Sequence, residues 1–130
     1  MSELVYNNCF ACGKDNPIGL KLKFEYSENC SISYFVVSSN FQGYHDITHG
    51  GIITTLLDEA MAKIILFKGI EAVTGEINVK FRRAVPTNKE IRITGRIEQE
   101  KSRTIKTSGK IEFDGKVCAE ATATFVKMKK

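Results

Sequence analysis

Between residues 52 and 67 the sequence keeps apolar side chains on nearly every side of a helix. Ile53, Leu56, Leu57, Ala60, Ile64 and Phe67 recur at steps of three and four, the helical period. Ile52, Met61 and Ile65 fall on the other faces. A helix apolar most of the way round belongs inside a protein rather than on its surface. Asp58, Glu59 and Lys63 interrupt the run, so it is no membrane span. Gly69 is a plausible stop signal after it. Whatever else this chain forms has to wrap that helix.

The flanking residues switch to period two. Leu20, Leu22, Phe24 and Tyr26 alternate with Lys21, Lys23 and Glu25, which reads as a half-buried strand over 20–26. A second strand covers about 31–37 and turns apolar on both faces at Tyr34-Phe35-Val36-Val37. Residues 38–51 form a loop. Four more strands follow the helix, carried by Ile77, Val79 and Phe81, by Ile91, Ile93 and Ile97, by Ile105, Ile111 and Phe113, and by Val117 through Phe125. Turns fall at Pro86-Thr87-Asn88, at 99–102 and at Asp114-Gly115, the strongest hairpin signal in the chain. Short turns force antiparallel pairing, because parallel strands need long crossovers. The expected fold is α+β, in the order β-β-α-β-β-β-β: an antiparallel sheet of about six strands curled around one long central helix. A chain of 130 residues suits a single domain, 1–130, with 1–19 irregular.

Charge and cysteines narrow the function. The net charge of +4 is a mild surplus, and there is no Trp and no interleaving of aromatic and basic residues. That argues against nucleic acid and is compatible with a small anionic ligand. The start Met1-Ser2-Glu3 has no signal-peptide pattern, so a cytoplasmic protein with no membrane partner is expected. Cys9-Phe10-Ala11-Cys12 is a CxxC, with Cys30 and Cys118 elsewhere. No second CxxC and no His pair complete a zinc site within one chain. Gly13, Asp15, Asn16 and Pro17 follow in place of the helix that a redox motif would open. The expectation is a structural turn with two reduced thiols and no metal. The alternative is a site shared between two subunits.

The chemistry concentrates between Asn40 and Met61. Gly50 and Gly51 sit where loop becomes helix, so a ligand can approach the backbone closely. The first helical N–H groups lack internal partners and carry partial positive charge, which suits an oxygen that becomes negative during acyl transfer. Asp58 has no cation at three or four positions, whereas Glu59 has Lys63 four residues on and can pair with it. Asp58 is therefore the candidate base or nucleophile, with a hydrogen bond between elements as its plainer role. His45 and His49 share the loop and could orient a substrate or move a proton. Neither G-x-S-x-G nor a phosphate-cradling loop is present.

The combination His49-Gly50-Gly51 at a helix start, with Asp58 nine positions after the His, resembles the PaaI-like branch of the hotdog-fold thioesterases. Asn78-Val79-Lys80-Phe81-Arg82-Arg83-Ala84-Val85-Pro86 resembles that family's strand ending in a Pro turn. The opening from Cys9 to Leu20 is similar to one seen in a subset of the family. The resemblance implies a hotdog fold and hydrolysis of acyl-coenzyme A esters. It implies Asp58 as the acid, supplied across a dimer interface, the Gly50 amide as the carbonyl's polariser, and Thr74 as a helper. His49 and Glu59 complete the candidate catalytic set. Gly51, Asn40, Gln42, Lys80, Arg82 and Arg83 are the candidate substrate contacts, the basic ones for the phosphates of coenzyme A. No cofactor is expected, since coenzyme A is part of the substrate, and a homodimer or dimer of dimers is expected. Where the family often has a polar residue six positions before the His, this chain has Gly43, so Asn40 or Gln42 would stand in. Two other readings remain. One is a non-catalytic acyl-coenzyme A binder. The other is a hydroxyacyl-thioester dehydratase, which Glu59 fits but which lacks its histidine, Asn40 standing in that place.

Overall fold

Helix α1 runs Gly50–Phe67, starting two residues before the apolar periodicity does, because His49 caps it from an extended backbone. This computed structural model describes residues 6–128; Met1-Ser2-Glu3 and the basic end at Lys129 and Lys130 lie outside the described residues. Gly69 takes a φ of +80° beyond the helix, the left-handed turn expected of a stop signal. Around α1 wrap six strands: β1 (Glu25–Tyr26), β2 (Cys30–Val36), β3 (Ala72–Phe81), β4 (Glu90–Glu100), β5 (Thr104–Phe113) and β6 (Lys116–Lys127). They form one sheet in the order β1-β2-β4-β5-β6-β3, antiparallel throughout. The expected hotdog architecture is therefore present. Strand β3, which follows the helix, is an edge strand.

The helix enters the sheet over a row of small residues. Ser31, Gly95, Gly109 and Ala121 stand opposite one another on β2, β4, β5 and β6. A Cβ on Gly95 would run into the backbone at Ala60 and Met61. Ser31 Oγ donates to the Ala60 carbonyl at 2.5 Å. Either side of this row, Ile93, Ile105, Ile111 and Phe125 share one core cluster with Leu56, Leu57 and Met61, all essentially fully buried. Each such side chain contributes about 1.5–3 kcal/mol over exposure.

The strand expected over 20–26 is corrected to Glu25–Tyr26. Leu20 N–H donates to Phe10 O at 2.8 Å and Leu22 N–H to Ala11 O at 2.9 Å, so this stretch pairs with the CxxC turn rather than with the sheet. Lys21 takes a φ of +60°, and its Nζ donates to the carbonyls of Lys14 and Asn16 at 3.0 and 2.9 Å. Leu20 and Leu22 still reach the core, so the alternation in burial is real although the sheet pairing is absent. Among the described residues, no helix is long and apolar enough to cross a membrane.

Candidate active site

The loop before α1 is held by backbone hydrogen bonds, one of them to Val85, and by its own side chains. Gly43 N–H donates to Ile47 O at 2.8 Å, His49 N–H to Phe41 O at 3.0 Å and Thr48 N–H to Val85 O at 2.8 Å. Gln42 Oε1 accepts the Asp46 N–H at 3.1 Å. These bonds place His49 at the N-cap, where its Nδ1 accepts the Gly51 N–H at 2.9 Å. An accepting Nδ1 puts the proton of the neutral ring on Nε2. The histidine is thus engaged in shaping the helix start.

The two glycines are there for different reasons. A Cβ on Gly51 would sit 3.2 Å from the capping Nδ1, crowding the imidazole. A Cβ on Gly50 would meet only the Phe81 ring, at 3.7 Å, an ordinary contact. Nothing among the described residues demands a glycine at 50. Its N–H is the first of the helix and has no partner within it.

Gly50, Thr54 and Asp58 follow at steps of four and line one side of the helix. Thr54 Oγ1 donates back to Gly50 O at 3.0 Å. Asp58 Oδ1 accepts a hydrogen bond from Thr74 Oγ1 at 2.7 Å, and Thr74 lies on edge strand β3 beside a bulge. Two predicted residues sixteen positions apart thus meet on an open edge. Eight residues separate Gly50 from Asp58, about 12 Å along the axis. Within one chain they cannot both touch one thioester carbonyl.

Glu59, one residue on, turns to a different neighbourhood. Its carboxylate lies 3.8 Å from Lys63, with both side chains largely covered. Lys63 Nζ sits 3.7 Å from the centre of the Tyr6 ring. The sulfurs of Cys9 and Cys12 and a Glu59 oxygen all lie within 4.8 Å of one another. Burial, reinforced by Glu59, pushes the Cys12 thiol up to about 12.

The other sequence candidates are not brought to Gly50 or Asp58 by any described hydrogen bond. Lys80 alternates with helix-facing Val79 and stands opposite Glu120 on the outer face of the sheet. Arg82 Nε donates to Glu120 Oε2 at 2.8 Å. Arg83 is exposed, its N–H on Cys118 O at 2.9 Å. Asn40 is exposed in a single 3-10 turn, with its own N–H on Ser38 Oγ. His45 is exposed beside Asp46. Sequence reasoning passed over Thr54 and the placing of Phe81 beside Gly50. A step of four from Gly50 would have found Thr54. No local pattern marks Phe81.

Residues 45–120 match the thioesterase superfamily. The chain resembles a crystal structure of a thioesterase superfamily protein at 24% identity and a TM-score of 0.86, covering 92% of this chain but 60% of that one. It resembles a Streptococcus mutans protein bound to acetyl CoA at 21% identity and a TM-score of 0.78, covering 84% of this chain and 90% of that one. Escherichia coli PaaI, from the phenylacetic acid degradation operon, superposes with a TM-score of 0.77 at 19% identity, over 82% of this chain and 83% of that one. A curated relative, an uncharacterized protein of Schizosaccharomyces pombe, is 53% identical over 38 residues, 29% of this chain and 22% of that protein. This chain thus spans three-fifths of the first of these structures and matches under a quarter of the curated relative. With more than half its length matched by the family, and its fold shared with the family's structures, the chain belongs to the thioesterase superfamily.

Proposed function

We propose that this protein hydrolyses acyl-coenzyme A esters at a site built between two subunits. The observation that carries this reading is the Thr74–Asp58 hydrogen bond on an edge strand, about 12 Å from the Gly50 amide that opens the helix. A two-fold axis near Ile77 and Asn78, midway along β3, would pair two β3 strands antiparallel. The Phe81 end of one copy, where Gly50 lies, would then face the Thr74 end of the other. Gly50 would meet Asp58 of the partner subunit, and one carbonyl could touch both.

In this arrangement the Gly50 N–H, reinforced by the helix dipole, receives the thioester oxygen. Asp58 takes a proton from a water that attacks the carbonyl carbon, or attacks the carbon itself and forms an anhydride that water then hydrolyses. The C–S bond breaks, coenzyme A leaves as its thiol, and the acid is released. Thr74 holds the carboxylate in place by donating to Oδ1. Neighbours support both the ligand and the residues. One Streptococcus pneumoniae structure contains coenzyme A. Mutant structures of that thioesterase carry alanine for an Asp and for a Thr sixteen positions apart, the spacing of Asp58 and Thr74 here. Glu59, turned to Lys63 and the cysteines, leaves the dehydratase reading without its acid at the Gly50 loop.

The test is thiol release from a panel of acyl-coenzyme A esters of differing length and aromaticity. The wild type should turn over part of the panel, which names the acyl class. Asp58→Asn should lose at least about a hundredfold, the usual worth of a positioned base. Binding of esters with no turnover by the wild type would instead make the protein an acyl-coenzyme A binder. Loss in Glu59→Gln with Asp58→Asn unaffected would move the acid by one residue.

A further inference from the structure

We infer that Cys9, Cys12 and Glu59 form a zinc site that fastens the N-terminal turn to helix α1. Two sulfurs and one carboxylate oxygen within 4.8 Å of one another come from segments 47 residues apart at their closest. Tetrahedral zinc, with sulfur near 2.3 Å and oxygen near 2.0–2.2 Å, spaces such ligands by about 3.5–3.8 Å. Modest side-chain rotations reach that spacing. The donor set also selects the metal, since two thiolates favour zinc over the hard cations magnesium and calcium.

The turn is built to present those sulfurs. Gly13 N–H donates to Cys9 O at 2.8 Å, and a Cβ on Gly13 would collide with the backbone of Asn7 and Cys9. Between the cysteines, the Phe10 and Ala11 carbonyls are held by Leu20 and Leu22, and Ala11 is buried in the core. These bonds fix the backbone that carries both thiols. Glu59 meets them from the helix, and among the described residues its ion-pair partner is Lys63, at 3.8 Å, too long for a strong charge-assisted bond. Zinc with two thiolates and a carboxylate carries a net charge of −1, which the buried Lys63 ammonium balances. On loading, the two thiol protons go to solvent, and water serves as fourth ligand. The site would divide the labour of the adjacent acids: Asp58 turned to Thr74, Glu59 turned to the metal. It would also pin the segment covering a pocket of about 140 Å³ lined by Ala62, Leu66, Ile70 and Ala72.

The experiment titrates the reduced, metal-free full chain with Co²⁺ and then with Zn²⁺, following absorption and unfolding temperature. None of these readouts uses acyl-coenzyme A, so failure here leaves the thioesterase reading standing. The wild type should bind one Co²⁺ per chain with thiolate-to-cobalt charge transfer in the near ultraviolet, and Zn²⁺ should abolish that band. Cys9→Ser and Cys12→Ser should each lose or sharply weaken the band. Glu59→Gln, which keeps shape, should weaken binding by about tenfold or more. Zn²⁺ should raise the unfolding temperature of the wild type and not of Cys12→Ser. Absence of the band in the wild type overturns the inference. So does one metal per two chains with unchanged affinity in Glu59→Gln, which would assign thiolates shared between subunits. Should the serine variants fail to fold, unchanged affinity in Glu59→Gln alone decides against it.

Discussion

Adjacent glycines at the start of α1 separate structure from chemistry. Gly51 is fixed by the capping imidazole, whereas Gly50 has room for a methyl group within its own chain. Gly51→Ala should therefore cost about 0.5–2 kcal/mol through the crowded cap, read from denaturant midpoints. Gly50→Ala should leave stability nearly unchanged, yet lower turnover by on the order of a hundredfold by shielding the oxyanion donor. Equal loss of stability in both would refute the distinction. Thr74→Val keeps shape but removes the donor to Asp58. It should slow turnover by about tenfold or more, the worth of a hydrogen bond to a charged group, while the melting temperature barely moves. The sequence shows Gly-Gly, Asp and Thr in the right order. It does not show which glycine serves the fold, because that depends on where His49 and Phe81 end up.

At the level of elements, the helix and the strands are legible because each buries one kind of repeat. Their fit is less legible. Gly95 and Gly109 interrupt strand patterns in a way that looks only like weakness. Register makes them neighbours of Ser31 and Ala121, and together they admit the helix backbone. Gly95→Ala should destabilise by about 1–3 kcal/mol or more, since backbone rather than a flexible side chain stands in the way. Gly109→Ala, whose Cβ would stand 3.1 Å from the Thr94 carbonyl and 3.3 Å from the Met61 side chain rather than well inside contact distance, should cost less. Equal effects, measured by chemical denaturation, would contradict the close approach at Ala60. The shortened first strand teaches the same lesson in reverse. Period two over 20–24 reports which side chains are buried, while Tyr26 is exposed, and Lys21 takes a left-handed backbone turn within the stretch.

For the whole molecule, the placing of β3 at a sheet edge matters most. If Gly50 of one subunit works with Asp58 of the other, two dead variants can rescue each other. Mixing Gly50→Ala with Asp58→Asn and reassociating the subunits should restore about a quarter of wild-type turnover, because half the dimers then carry one intact site of two. No recovery in demonstrably mixed dimers would place the whole site within one chain. The sequence by itself determined the helix, the order of elements along the chain and the antiparallel pairing, and it singled out Asp58 as a candidate, because each is written in local periodicity or in residues close along the chain. Tertiary structure alone decided what meets across it. Thr74 reaches Asp58, Glu59 reaches the cysteines of a distant turn, Arg82 is spent on Glu120, and β3 is left without a neighbour on one side. The physical reason is that periodicity encodes which side chains are buried, while contacts between remote segments follow from register and packing, which no short stretch of sequence carries.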